Sequence, residues 1–108
     1  MSGKELKYIK DVFKDNWIAP VGPHLNMFEE KVKEYTGSKY AVAVTSCTAG
    51  IHLALKALRV KEGDYVICSS LTFAATVNPI IYCGAEPIFI DSEEGSWNMD
   101  PLLLETAI

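Results

Sequence analysis

The chain has 108 residues, 49% of them hydrophobic and 22% charged, so it can build the core of one small domain or part of one and is not a disordered tail. Ten basic residues against fourteen acidic ones give a net charge of -4, and the lysines are scattered along the chain, which argues against nucleic acid and anionic membrane as partners. The first ten residues are polar, and no apolar run approaches the ~20 residues of a membrane span, so a cytoplasmic protein is expected.

The elements follow in order. Leu6, Ile9, Val12 and Phe13 fall on one face of an amphipathic opening helix over residues 4–14. Two prolines and a glycine within Pro20-Val21-Gly22-Pro23 stop it and predict an extended, turned loop, in which Trp17 is either a packing plug or a ligand wall. Pro23 opens a second helix with Leu25, Phe28, Val32 and Tyr35 on one face, ended by Thr36-Gly37. Tyr40 to Val44 reads as a buried strand, followed by the turn Ser46-Cys47-Thr48-Ala49 and a helix running to about Arg59. Tyr65 to Ser69 is the next strand. A helical stretch from Phe73 or Ala74 to Tyr82 follows, kinked or delayed by Pro79, and Glu86 to Asp91 is a third strand. Asp100 caps and Pro101 opens a last helix.

Strand, helix, strand, helix, strand is the pattern of an α/β domain with parallel strands. Such sheets place ligands beyond the carboxyl ends of their strands, where the turns after Val44, Ser69 and Ile90 all lie. The last helix is still apolar in pattern at Ile108, so the chain reads as the front of a longer protein. Cys47, Cys68 and Cys83 have no paired CxxC spacing and read as buried structural thiols in a reducing compartment, with no metal site implied.

The turn after Val44 has neither a GxGxxG fingerprint nor a Walker loop. Its backbone NH groups and the hydroxyls of Ser46 and Thr48 suit a phosphate, although one hydroxyl acting simply as an N-cap is an ordinary alternative. Phe73, just after the second strand, is placed to lie on a planar ring or to pack in the core. Asp91 is placed to bind a ligand or, as the favoured reading, to cap the following loop.

Taken together, Trp17-Ile18-Ala19-Pro20-Val21-Gly22-Pro23, Phe28-Glu29, Ser46-Cys47-Thr48-Ala49-Gly50, the segment from Ser70 to Asn78, Gly84 to Asp91 and Trp97-Asn98-Met99-Asp100-Pro101 resemble the successive amino-terminal motifs of the DegT/DnrJ/StrS sugar aminotransferases. The resemblance implies a fold-type I architecture, a three-layer sandwich around a parallel sheet. Residues 1–108 would form the amino-terminal part of its large domain, with entry helices over about 1–36. It further implies pyridoxal 5'-phosphate (PLP) as cofactor, with a nucleotide-linked keto-sugar and glutamate as substrates and a homodimer as the assembly. Carried over by position, Thr48 and Ala49 hold the cofactor phosphate beside Ser46 and Cys47, and Phe73 stacks on the pyridine ring. Trp17, Pro20 and Gly22 belong to a loop on the sugar-nucleotide side. Cys47 stands where the family often has glycine or another small residue.

In the family the Schiff-base lysine lies beyond Ile108, so no catalytic residue falls within these 108 and the chain alone is expected to be inactive. Two other readings stand beside the aminotransferase: a truncated, catalytically silent α/β module, and a sugar dehydratase of the same family.

Overall fold

The computed structural model describes residues 2–108 and forms two compact units, one ending at Ala43 and the other running from Val44 to Ile108. The first unit opens with helix α1 (Glu5–Lys14), whose acidic first residue and basic last residue both complement the helix dipole. Its apolar residues Leu6, Ile9 and Phe13 are exposed. Asn16, at φ 51°, turns the chain out of the helix, and the Trp17 amide still donates back to the Val12 carbonyl at 3.2 Å.

The following loop is closed by Trp17, whose Nε1 donates to the carbonyl of Val21 at 2.6 Å. Gly22 adopts φ 154°, and a Cβ placed there would lie 2.2 Å from Trp17 Nε1 and 2.4 Å from its Cδ1. The indole therefore occupies the space that any side chain at position 22 would need. Gly22→Ala is expected to expel the indole and break its bond to Val21, at a cost of about 1–3 kcal/mol. Intrinsic fluorescence in a Trp97→Phe background, where Trp17 is the one tryptophan left among residues 1–108, checks this. An unchanged spectrum and unfolding midpoint would contradict it.

Helix α2 (Pro23–Thr36) has proline in its first turn and stops at Gly37, which adopts φ 68° and donates to Lys33 O at 2.9 Å. Both ends match the sequence signals. Beyond it, the Ala43 amide donates to Glu29 Oε1 at 2.8 Å. The strand expected over residues 40–44 is not formed, and Tyr40 and Val42 are exposed. An apolar extended segment becomes a strand only when a neighbour supplies a ladder of backbone hydrogen bonds. Among the described residues this segment has no such neighbour.

In the second unit, helix α3 (Cys47–Ala57) starts from Ser46 as its cap. It ends two residues short of the expected Arg59, because Arg59 itself takes φ 63°. The Arg59 amide bonds to Lys56 O and the Val60 amide to Leu55 O, at 2.9 and 3.0 Å. This is a Schellman stop built on arginine in place of glycine.

Strands β1 (Tyr65–Ser69) and β2 (Glu86–Ile90) pair in parallel, with Tyr65 opposite Glu86 and Ser69 opposite Ile90. Between them come a 3-10 turn (Ala74–Thr76) and helix α4 (Asn78–Tyr82). Pro79 sits in the first turn of α4, where its missing NH costs nothing. The stretch thus splits ahead of the proline, as its position implies. Gly84, at φ 77°, ends α4 with a second Schellman stop, Ala85 N to Ile80 O at 3.2 Å.

After β2, the loop 92–99 closes on itself through an antiparallel bridge between Ser92 and Met99. Helix α5 (Pro101–Ala107) is capped by Asp100, whose Oδ1 accepts from the amides of Leu102 and Leu103. The core of this unit is Cys68, Ile80, Cys83 and Ala85, ringed by Leu55, Val60, Val66 and Val77. Helices α3 and α4 pack on each other, and α4 and α5 both rest on β2. The sheet has two strands where three were expected, for the reason given for residues 40–44.

Candidate active site

The parallel pairing brings the exits of β1 and β2 to one end of the sheet. There the Ser70 amide donates to Ile90 O at 2.9 Å, and the Ser70 hydroxyl donates to Asp91 Oδ1, also at 2.9 Å. The same carboxylate oxygen accepts the Ser92 amide at 2.8 Å. Asp91 thus caps the loop that follows it, as its position suggested, and ties that loop to the neighbouring turn. Ser70, Leu71, Asp91, Glu93 and Trp97 line an open cleft of about 650 Å³ at this end. Glu93 folds its own loop by accepting from the amide and hydroxyl of Ser96.

Hydrogen bonds to the ionised forms hold both carboxyls below the usual carboxylate range. For Asp91 the Ser92 amide contributes most and the Ser70 hydroxyl next; for Glu93 the Ser96 hydroxyl leads and its amide follows. A carboxyl lowered on folding contributes stability above its unfolded pKa and loses it as pH falls through the folded one. The thermal midpoint is therefore expected to stay level from pH 7 to about 5 and to drop below about pH 4. Calorimetry of Asp91→Asn/Glu93→Gln beside the parent is expected to show a shallower acid drop, and an identical acid profile would refute the assignment.

At the start of α3, Ser46 is extended, with φ -160° and ψ 159°, and its Oγ accepts the Ala49 amide at 3.1 Å while its carbonyl accepts the Gly50 amide at 3.1 Å. The amides of Cys47 and Thr48 are left without a hydrogen-bond partner among the described residues. Two unpaired NH groups at the positive end of an 11-residue helix suit an anion. Ser46 plays the cap by satisfying the Ala49 amide, while the Cys47 and Thr48 amides, which lie between the two, have no intrahelical acceptor. Cys47 is exposed at the first position of α3, contrary to the expected burial, although Thr48, Ala49 and Gly50 beside it are partly buried. Cys68 and Cys83 are buried as expected, and burial pushes the Cys68 thiol up.

Phe73 precedes the 3-10 turn in extended conformation, with 81% of its surface exposed. Core packing is thereby ruled out within this unit. Its carbonyl accepts the Thr76 amide at 2.9 Å, and the hydroxyls of Thr72 and Thr76 are bonded to each other. The turn that Phe73 introduces packs against α3. The structure therefore joins the elements that carry Phe73 and the Ser46–Ala49 turn, although no hydrogen bond links the two turns themselves. Trp17, Pro20 and Gly22 lie in the other unit, where Trp17 and Gly22 are in contact and Pro20 is exposed.

The residues singled out in the sequence did not include Ser70, Glu93 or Trp97 as site residues. Ser70 was open to inference: parallel strands that end together place the residue after one beside the residue after the other.

The model of the DegT/DnrJ/EryC1/StrS aminotransferase family matches residues 1–108. EpsN of Bacillus subtilis (strain 168), named as a pyridoxal phosphate-dependent aminotransferase, is 58% identical over 108 residues, which are 100% of this chain and 28% of that protein. Among solved structures, the PLP form of the sugar aminotransferase Spr1654 from Streptococcus pneumoniae superposes with a TM-score of 0.92 at 32% identity, over 100% of this chain and 27% of that one. A GDP-4-keto-6-deoxymannose-3-dehydratase with a trapped PLP-glutamate geminal diamine gives a TM-score of 0.92 at 27% identity, over 100% of this chain and 29% of that one. The chain thus spans under a third of the length of the relatives it matches. Among the described residues, no helix is long and apolar enough to cross a membrane.

Proposed function

The chain belongs to the DegT/DnrJ/EryC1/StrS aminotransferase family over residues 1–108, and from that premise we propose that it is the amino-terminal part of the large domain of a PLP-dependent aminotransferase acting on a nucleotide-linked keto-sugar. The entry helices occupy about residues 1–36. Glutamate serves as amino donor, the assembly is a homodimer, and the enzyme works in the cytoplasm. The nucleotide sugar and glutamate are supported by the GDP-sugar relative and the glutamate trapped in it. The cytoplasm agrees with the absence, among the described residues, of any helix able to span a membrane.

The observation that carries the reading is the pair of unpartnered amides at Cys47 and Thr48, on a helix packed against the turn that exposes Phe73. These residues fit PLP. The two amides and the Thr48 hydroxyl would take the phosphate, with Ala49 and Ser46 closing the turn around it. Phe73 would cover one face of the ring and exclude water from it. When bound, PLP supplies the electron sink that amino-group transfer requires. Trp17, Pro20 and Gly22 would belong to the loop that meets the sugar nucleotide, with Gly22 making room for the Trp17 indole packed on it.

The nine lysines sit on helix or surface segments, eight of them exposed and Lys33 half-buried. A solvent-exposed, strongly hydrated ammonium on a mobile stem is a poor Schiff-base nucleophile. Residues 1–108 by themselves are accordingly not expected to transfer an amino group. The reading is tested by titrating the full-length protein with PLP and following the cofactor absorbance. Saturable binding with a shifted band is expected, and no bound cofactor would overturn it.

A second reading, sugar dehydration, is favoured by one observation: the matched GDP-sugar relative is named a dehydratase and superposes as well as the aminotransferase does. Product analysis with a keto-sugar nucleotide separates the two, since only one of them leaves nitrogen on the sugar.

A further inference from the structure

Phe73 has a direction to keep and little to keep it with. Its ring is 81% exposed, so packing does not fix it, and its orientation is inherited from the backbone of the turn at residues 70–73. Within that turn the Thr72 amide bonds to Ser70 O at 3.1 Å, the Phe73 carbonyl accepts Thr76 N, and the Thr72 and Thr76 hydroxyls are bonded to each other, all of them ties local to the turn. The turn is anchored to the sheet at Ser70. There two bonds reach across to the end of β2 and the residue after it, Ser70 N to Ile90 O and Ser70 Oγ to Asp91 Oδ1, both at 2.9 Å. Asp91 is 21 residues away in sequence but one step past the register pair Ser69 and Ile90.

We propose that Asp91 is a positioning residue: its carboxylate oxygen fixes Ser70 and through it the turn that presents Phe73 to the cofactor ring. This rests on the PLP reading above. Asp91 is exposed, so water screens its charge and the hydrogen-bond geometry is what it contributes. Both of its bonds converge on Oδ1. An amide oxygen in the same place can accept both, whereas a methyl group can accept neither. The carboxylate is thus replaceable by asparagine and not by alanine.

The test uses the full-length protein with Asp91→Ala, Asp91→Asn and Ser70→Ala. Amide hydrogen exchange of the segment containing residues 70–73, measured without cofactor, reads the clamp alone. PLP titration and the induced circular dichroism of the cofactor band read its consequence for the ring. Asp91→Ala and Ser70→Ala are expected each to speed local exchange, to weaken PLP binding by about three- to tenfold and to diminish the induced dichroism. Asp91→Asn is expected to recover most of all three.

Unchanged exchange in Asp91→Ala overturns the clamp. Faster exchange with unchanged affinity and dichroism overturns its link to the cofactor. Asp91→Asn falling as far as Asp91→Ala overturns the hydrogen-bond argument in favour of charge. If the parent itself binds no PLP, the functional reading fails and takes the cofactor clause with it, while the exchange data still report whether the clamp exists.

Discussion

Ile80→Ala is expected to cost about 2–5 kcal/mol of stability, while Ile81→Ala, one residue further on, is expected to cost less than about 1 kcal/mol. The two side chains have the same chemistry and sit on the same short helix, yet Ile80 is 2% exposed and Ile81 55% exposed. Around Ile80 the buried neighbours Cys68, Cys83 and Ala85 are all small. They have little reach with which to fill a cavity, so the loss should approach the upper part of the range. A domain of this size has only about 5–15 kcal/mol to lose, and Ile80→Ala removes a large share of it. Urea denaturation of the pair of variants measures the difference as a shift in midpoint at constant slope. Equal midpoints would mean that the core is not centred on Ile80.

Much of this architecture was legible because it is specified locally. Pro23 and Gly37 bracket α2, Asp100 and Pro101 open α5, and Gly84 closes α4. Each of these signals acts through its own backbone angle or its own hydrogen bond, within one turn of where it stands in the chain. What failed depends on residues far away. Residues 40–44 have the composition of a strand but no ladder partner among the described residues, and pairing cannot be read from composition. Cys47 has the habit of a buried thiol, but burial is decided by what lies opposite, and Cys47 itself is exposed. Arg59 ends α3 in a left-handed conformation that a sequence reader assigns to glycine.

The site divides along the same line. The Ser46–Ala49 turn and Phe73 can be proposed from sequence alone, since a small polar turn at a helix start and an aromatic just after a strand are local features. The Ser70–Asp91 bond needed the register of two strands before it could be seen. Register is set by the hydrophobic pattern of the strands and by the geometry of the connection between them, which here includes α4, with Pro79 in its first turn and Gly84 at its end. The clamp is therefore a product of the crossover as much as of the two residues that form it.

Cys47→Pro is expected to leave the fold intact and to weaken PLP binding by about tenfold to a hundredfold, the effect of losing one hydrogen bond to a charged group. Cys47 is the first residue of α3, where proline is favoured because its missing NH has no helical partner to lose. The residue before a proline must be extended, and Ser46 already is. The same substitution at Thr48 would force Cys47 out of its helical conformation, which makes position 47 the place where an amide can be deleted without disturbing the helix. Cys47→Ala keeps the amide and removes the thiol, so it is expected to bind PLP like the parent. Ser46→Ala takes away the cap and is expected to cost about 1 kcal/mol of stability, a loss visible in the unfolding midpoint. If Cys47→Pro binds as tightly as Cys47→Ala, the phosphate does not sit on this helix end. If affinity falls only in Cys47→Pro, and inorganic phosphate competes with PLP for the parent but poorly for the variant, the amide of residue 47 is a phosphate ligand and the turn after Val44 is the anchor of the cofactor.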